Sequence, residues 1–295
     1  MTDDATSAVS IAGATRQGQM VAAHWARLSL TVDGALQALR SQGIAPEQAT
    51  ADDLHALDML HMGGLAATDA LAEMAHLRPG QRVLDVGAGV GGPARRMARK
   101  YGARVWGVEL SEAVYQTAVA LTALVGLQDQ VQFTQGSALA LPFENGAFDV
   151  VVMQHVAMQI AEKDQLSGEC VRVLKPGGVL ALHEIFAGPG GPPLYPLAWA
   201  AAPAMSSLES LDACAARLTQ RGLTVGPFVD RSEAGRQHHA ANLQAWQRAV
   251  TQQRGSEGRS VDVTEARLRT ATSMERNLRE GRLQVAMVVC HKRLT

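Results

Sequence analysis

The stretch that most constrains the fold runs from Arg82 to Ala98, RVLDVGAGVGGPARRMA. A short apolar segment leads into glycines 87, 89, 91 and 92, and small and apolar residues interleaved with arginines follow. An apolar strand that turns through glycine directly into an amphipathic helix is the first half of a β-α-β unit, which needs a parallel partner strand and a covering helix. The pattern then repeats. RVWGVEL reads as a second strand and SEAVYQTAVALTALVG as a helix opened by Ser111; the preceding helix closes at Gly102. VQFTQG, FDVVVMQ and GGVLALHEIF predict three more strands, with KDQLSGECVRVLK as the helix between the last two. LTVGPFVDRS and RLQVAMVVCHK predict two closing strands, separated by a polar helical stretch from Ala234 to about Glu280. The expected fold class is α/β, a doubly wound, mostly parallel, seven-stranded sheet covered on both faces. In such sheets ligands bind beyond the carboxyl ends of the strands, where strand order reverses.

The flanking segments predict three further parts. Residues 1–20 lack periodicity and are expected to form a disordered tail. Residues 21–80 are expected to form a helical cap, with apolar residues at helical spacing from Met20 to Gln42 and from Asp52 to Leu77, broken by Gly43 and Pro46. Residues 81–295 would hold the sheet. Within them lies a Pro, Gly and Ala rich insertion, 187–207, whose Tyr195 and Trp199 suggest a lid or substrate wall, since only 4% of the chain is aromatic. The stretch DRSEAGRQHHAANLQAWQR is expected to be a solvated helix.

Charge narrows the partners. The net charge is −1 and no basic run stands out, so the chain lacks the electrostatic footprint of a nucleic-acid or anionic-membrane binder. A small molecule is the expected partner. The acidic N-terminus and the absence of a long apolar run predict a cytoplasmic protein. Cys170, Cys214 and Cys290 are widely spaced, with no metal-ligand pattern, and are expected to be buried thiols.

Gly87, Gly89 and Gly92 satisfy the G-x-G-x-x-G pattern of a dinucleotide loop, which keeps an NAD(P)-dependent oxidoreductase among the alternatives. Asp85 argues against it. A carboxylate at the end of the first strand repels a diphosphate and attracts an ammonium or sulfonium. Glu109, closing the second strand, can accept from both hydroxyls of a ribose. A zwitterionic or cationic ligand carrying an adenosine fits both acids.

The segments VLDVGAGVGG, GVEL, GSALALPF and VLKPGG, in this order, resemble the class I S-adenosylmethionine-dependent methyltransferases, over roughly residues 55–295. With LHMGGLAAT upstream, the chain is most similar to small-molecule N-methyltransferases of the sarcosine and dimethylglycine type. The resemblance implies a Rossmann-like fold with S-adenosyl-L-methionine as cofactor and S-adenosyl-L-homocysteine as product. It implies that Asp85, Gly87, Gly89 and Gly91 line the methionine portion, that Glu109 binds the ribose and that Leu110 packs on the adenine. Where the family has Gly-Asp after the third strand, this chain has Gly136-Ser137, so Ser137 and Ala138 become the adenine contacts. Gln154 and His155 would face the methionine end and the acceptor, and His61 would cover the cofactor.

Methyl transfer from a sulfonium is an in-line displacement in which alignment and exclusion of water can supply much of the rate. An amine acceptor must first lose a proton, and His155 or Glu184 could take it. Phosphobase enzymes of this family pair an N-terminal tyrosine with a histidine; here the first tyrosine is Tyr101 and only His24-Trp25 could substitute, so phosphoethanolamine is not the expected acceptor. O- or C-methyl transfer and a non-catalytic cofactor-binding module remain as alternatives.

Overall fold

The computed structural model describes residues 11–253 and 261–294. The tail and cap differ from expectation in where their helices begin and break. Helix α1 (Arg16–Leu28) starts inside the expected tail, because Thr15 Oγ1 accepts from Gly18 N at 3.1 Å and so caps it. Residues 1–10 lie outside the described residues. A second Thr cap, Thr31 accepting from Gly34 N, starts α2 (Val32–Ser41), so the periodic run from Met20 to Gln42 is two helices. The run from Asp52 to Leu77 likewise divides into α3 (Ala51–Asp58) and α4 (Gly64–Met74). Gly63 and Gly64, both at positive φ, turn the chain there and leave Leu60, His61 and Met62 on a loop.

The sheet is built from β1 (Arg82–Val86), β2 (Arg104–Glu109), β3 (Val131–Gln135), β4 (Phe148–Gln154) and β5 (Leu174–Ala187), all parallel, in the order β3-β2-β1-β4-β5. The strands β6 (Leu223–Val225), β7 (Val229–Asp230) and β8 (Leu283–Lys292) complete it, with β8 antiparallel to β5 and with β6 and β7 both pairing to β8. The expected strand LTVGPFVDRS is thus two strands. Gly226-Pro227 lies between them, and proline has no N–H to continue the ladder.

Side-chain alternation sorts the strands onto two cores. Leu84, Val86, Val151, Met153, Leu180, Leu182 and Phe186 pack on one face, and Val83, Val150, Val152 and Ala181 on the other. Fully burying such a side chain stabilises the fold by about 1.5–3 kcal/mol. Helices α5 (Gly92–Tyr101), α6 (Glu112–Leu124), α7 (Lys163–Val173), α8 (Leu211–Gln220), α9 (Ser232–Gln253) and α10 (Val261–Arg279) surround the sheet. Arg95 of α5, 1% exposed, donates to Asp58 Oδ2 at 2.8 Å and to Val90 O and Thr122 Oγ1, locking the end of α3 onto the glycine turn. Gly92 is required by the same contact, since a Cβ there would lie 2.6 Å from Asp58 O and Oδ1.

The 187–207 insertion is pinned rather than free. Gly188 and Gly190 donate to Arg282 O and Gly281 O, Leu194 exchanges hydrogen bonds with the Asn277 amide, and Ser207 N donates to Met158 O. Helix α1 joins it through His24 Nε2 and Ala198 O, 3.0 Å apart, and through Gln17 Nε2 donating to Ser207 Oγ.

Candidate active site

Strand order reverses between β1 and β4, and beyond their carboxyl ends lies a cavity of about 240 Å³. The sheet supplies its floor, α1 and the loop after α3 one wall, and Ala198 and Trp199 of the insertion another. His61, Asp85, Gly87, Gly89, Glu109, Leu110, Ser137, Ala138, Gln154, His155 and Trp199 all line it. Gly91, Glu184 and Tyr195 do not. Gly91 caps α5, and a side chain there would strike the Phe133 ring and Arg95. Tyr195 packs against the apolar cluster beneath the insertion.

Two acids mark one half of the cavity. Asp85 is 2% exposed and its Oδ2 is buried with no hydrogen-bond partner. Burial, and secondarily the Glu109 charge, pushes its carboxyl up to about 7. A neighbouring cation would reverse that shift. The Glu109 carboxylate accepts from Gly89 N (3.1 Å) and Ser111 N (2.9 Å); burial raises its pKa while these amides oppose the rise. Gly87 sits at φ +70°, and a Cβ there would come within 2.5 Å of Val156. A Cβ at Gly89 would instead meet nothing nearer than Leu60 Cδ1 at 4.0 Å, so the loop there borders open space. Ser137 Oγ donates to Gly13 O and accepts from Leu139 N, which commits most of its capacity.

Histidines mark the other half. His155 has φ +57°, an uncommon conformation for a residue with a side chain. Its N–H donates to His183 O at 2.8 Å, and the next two amides, Val156 and Ala157, donate to the Glu184 carboxylate at 3.0–3.1 Å. Glu184 therefore braces the turn that carries His155. It stands on the face shared by Leu182 and Phe186, outside the cavity, because alternation along β5 sends residue 184 to that side. A role for Glu184 as base at the acceptor does not fit this placement. The His155 ring packs among His61 and His183, with centroids 4.6–6.1 Å apart, and burial holds its pKa well below the ordinary imidazole range. Burial likewise lowers His61 to about 4 and His183 to about 3. His61 Nε2 lies within hydrogen-bond distance of Gly64 O and Thr68 Oγ1, and Thr68 Oγ1 donates to Gln154 Oε1.

Several lining residues carried no local signal in the sequence. Trp25 of α1 faces the cavity and donates to Gln159 Oε1 at 2.8 Å. Met62, Met158, Ile185 and Met274 come from four separate segments. His238 and His239, expected on a solvated helix, are half-buried and line the cavity, because the start of α9 packs over it. Their adjacency hid them, since neighbouring residues on a helix do not normally share a face.

Residues 84–182, which supply most of β1, the glycine turn, Glu109 and His155, match the family described as methyltransferase domain. Over this third of the chain the sequence is similar to that family. Among curated relatives, the methyltransferase GfsG of Streptomyces halstedii is 37% identical over 133 residues, 45% of this chain and 48% of that one. The glycine/sarcosine/dimethylglycine N-methyltransferase of Actinopolyspora halophila is 39% identical over 108 residues, 37% of this chain and 19% of that one. The chain thus spans about half the length of the first and a fifth of the second. Among solved structures, the geranyl diphosphate C-methyltransferase of Streptomyces coelicolor A3(2) superposes with a TM-score of 0.64 at 21% identity, covering 95% of this chain and 99% of that one. At that identity the superposition speaks for the fold alone, and it does so over nearly the whole chain. Among the described residues no helix is long and apolar enough to cross a membrane.

Proposed function

We propose that this chain is an S-adenosylmethionine-dependent methyltransferase acting on a small molecule by in-line transfer. The observation that carries the reading is the unpartnered, buried Asp85 carboxylate beside an open glycine turn at the switch point of the segment similar to the methyltransferase domain family. Asp85, Gly87 and Gly89 would hold the methionine portion, Glu109 the ribose, and Leu110 and Ala138 the adenine. When bound, S-adenosylmethionine supplies a methyl group already activated on a sulfonium.

The rest falls to the chain's own residues. Helix α1 and the pinned insertion exclude water, and the walls hold the acceptor in line. His155, kept uncharged by burial and fixed by its strained turn, orients the acceptor atom and can take a proton where an amine or hydroxyl must lose one. Three buried free thiols fit a cytoplasmic setting.

The test is a thermal-shift comparison. S-adenosylhomocysteine at about 100 times its Kd stabilises the fold by about 2.7 kcal/mol through mass action, and NADH leaves it unchanged. Stabilisation by NADH alone would replace this reading with the oxidoreductase.

A further inference from the structure

Resting on the methyl-transfer reading, the remainder of the cavity defines its acceptor. Trp25, Met62, Met158, Ile185, Trp199 and Met274 converge on it from α1, the loop after α3, the turn after β4, β5, the insertion and α10. Trp199 is fully buried, with Nε1 donating to Ser206 Oγ, so its ring presents a fixed apolar wall. The three thioethers adapt to the shape of whatever lies against them.

Charge is arranged just as consistently. Among the described residues, neither Arg nor Lys lines the cavity. A carboxylate, phosphate or diphosphate on the acceptor would be desolvated there with no counter-ion, a cost of several kcal/mol. Of the lining carboxyls, Asp58 is paired to Arg95 and Glu109 is held by two backbone amides, while Asp85 Oδ2 and Glu162 Oε2 are buried without a hydrogen-bond partner. The lining histidines, His61, His155, His238 and His239, are all disfavoured as cations by burial and so offer an anion no positive charge.

We propose that the acceptor has a broad apolar body and no free anionic group, a hydroxyl-bearing aromatic or an amine of similar shape, seated against the Trp and Met walls with its polar group at the histidines. A free carboxylate, as in sarcosine and dimethylglycine, or the phosphate of a phosphobase would meet no Arg or Lys there.

The experiment uses three probes of one shape, 2-naphthol, 2-naphthoate and 2-naphthylmethylammonium, titrated calorimetrically at pH 7.5 into the full chain saturated with S-adenosylhomocysteine. The expected result is that 2-naphthoate is the weakest of the three, on the order of tenfold or more below 2-naphthol. Binding of naphthoate as tight as that of either other probe overturns the proposal, as does failure of all three to bind. Loss of S-adenosylhomocysteine binding itself, read in the first titration, strikes the methyl-transfer reading instead, so the two failures are separable.

Discussion

Asp85 on β1 and Glu184 on β5 are both buried carboxyls near the carboxyl ends of parallel strands, and desolvation pushes both up to about 7. They face opposite sides of the sheet. Glu184 is surrounded by donors, with the amides of Val156 and Ala157 on its oxygens, whereas Asp85 leaves Oδ2 unpartnered beside the cavity. A raised pKa therefore does not separate a site from a scaffold in this molecule. What separates them is whether the group's hydrogen-bonding capacity is already spent: Glu184 spends it on the turn that holds His155, and Asp85 holds it in reserve.

The largest expected effect tests the sameness of the pair. A carboxyl whose folded pKa is raised binds a proton in the folded state that the unfolded chain has lost, so it withdraws stability as pH rises from about 4 to about 7. The buried histidines, lowered towards 3–4, work in the opposite sense between about 4 and 6.5, so the diagnostic quantity is a difference between variants. Relative to wild type, Asp85→Asn and Glu184→Gln should each gain on the order of 3–4 kcal/mol between pH 4 and pH 8 in urea denaturation without ligand. A flat difference for either variant would mean that its carboxyl is ionised in the fold at acid pH, and the comparison would lapse.

The next effect breaks the symmetry. At pH 5, Glu184→Ala leaves the Val156 and Ala157 amides without an acceptor in a dry site and should cost about 2–3 kcal/mol of stability. Asp85→Ala strands no such donor and should cost about 1 kcal/mol or less. Equal losses would show that Asp85 is as structural as Glu184.

The same pair shows what could be read from sequence. The glycine turn was legible because its demands are local: positive φ at Gly87 and close approach at Gly92 leave no other residue possible, and the apolar strand before them fixes where Asp85 falls. Alternation from Leu182 to Phe186 would also have placed Glu184 away from the acceptor, a signal present but outweighed by the chemical appeal of an acid at a strand end. The acceptor chamber was illegible for a different reason. Trp25, Met62, Met274 and His239 are ordinary helix or loop residues in their own segments and become a wall only when α1, α9 and α10 are laid over the sheet. Asp58 and Arg95 likewise became a pair only through the packing of α3 on α5.

The smallest effect asks what Asp85 is reserved for. If its carboxylate meets the positive charge of the methionine portion, Asp85→Asn removes a charge-assisted hydrogen bond and should weaken S-adenosylhomocysteine binding by about 2 kcal/mol at pH 8, while Glu184→Gln changes it by less than about 0.5 kcal/mol. Wild-type affinity should also rise with pH through about 7, because the bound cation favours the ionised acid and the free protein must give up a proton to reach it. In Asp85→Asn that rise should vanish, leaving one affinity at pH 6 and pH 8. Calorimetry at the two pH values separates the possibilities. Equal weakening in both variants would trace the effect to the shared sheet edge, whereas a pH-dependent affinity that survives in Asp85→Asn would point to Glu109, whose carboxyl burial also raises, as the group that meets the charge.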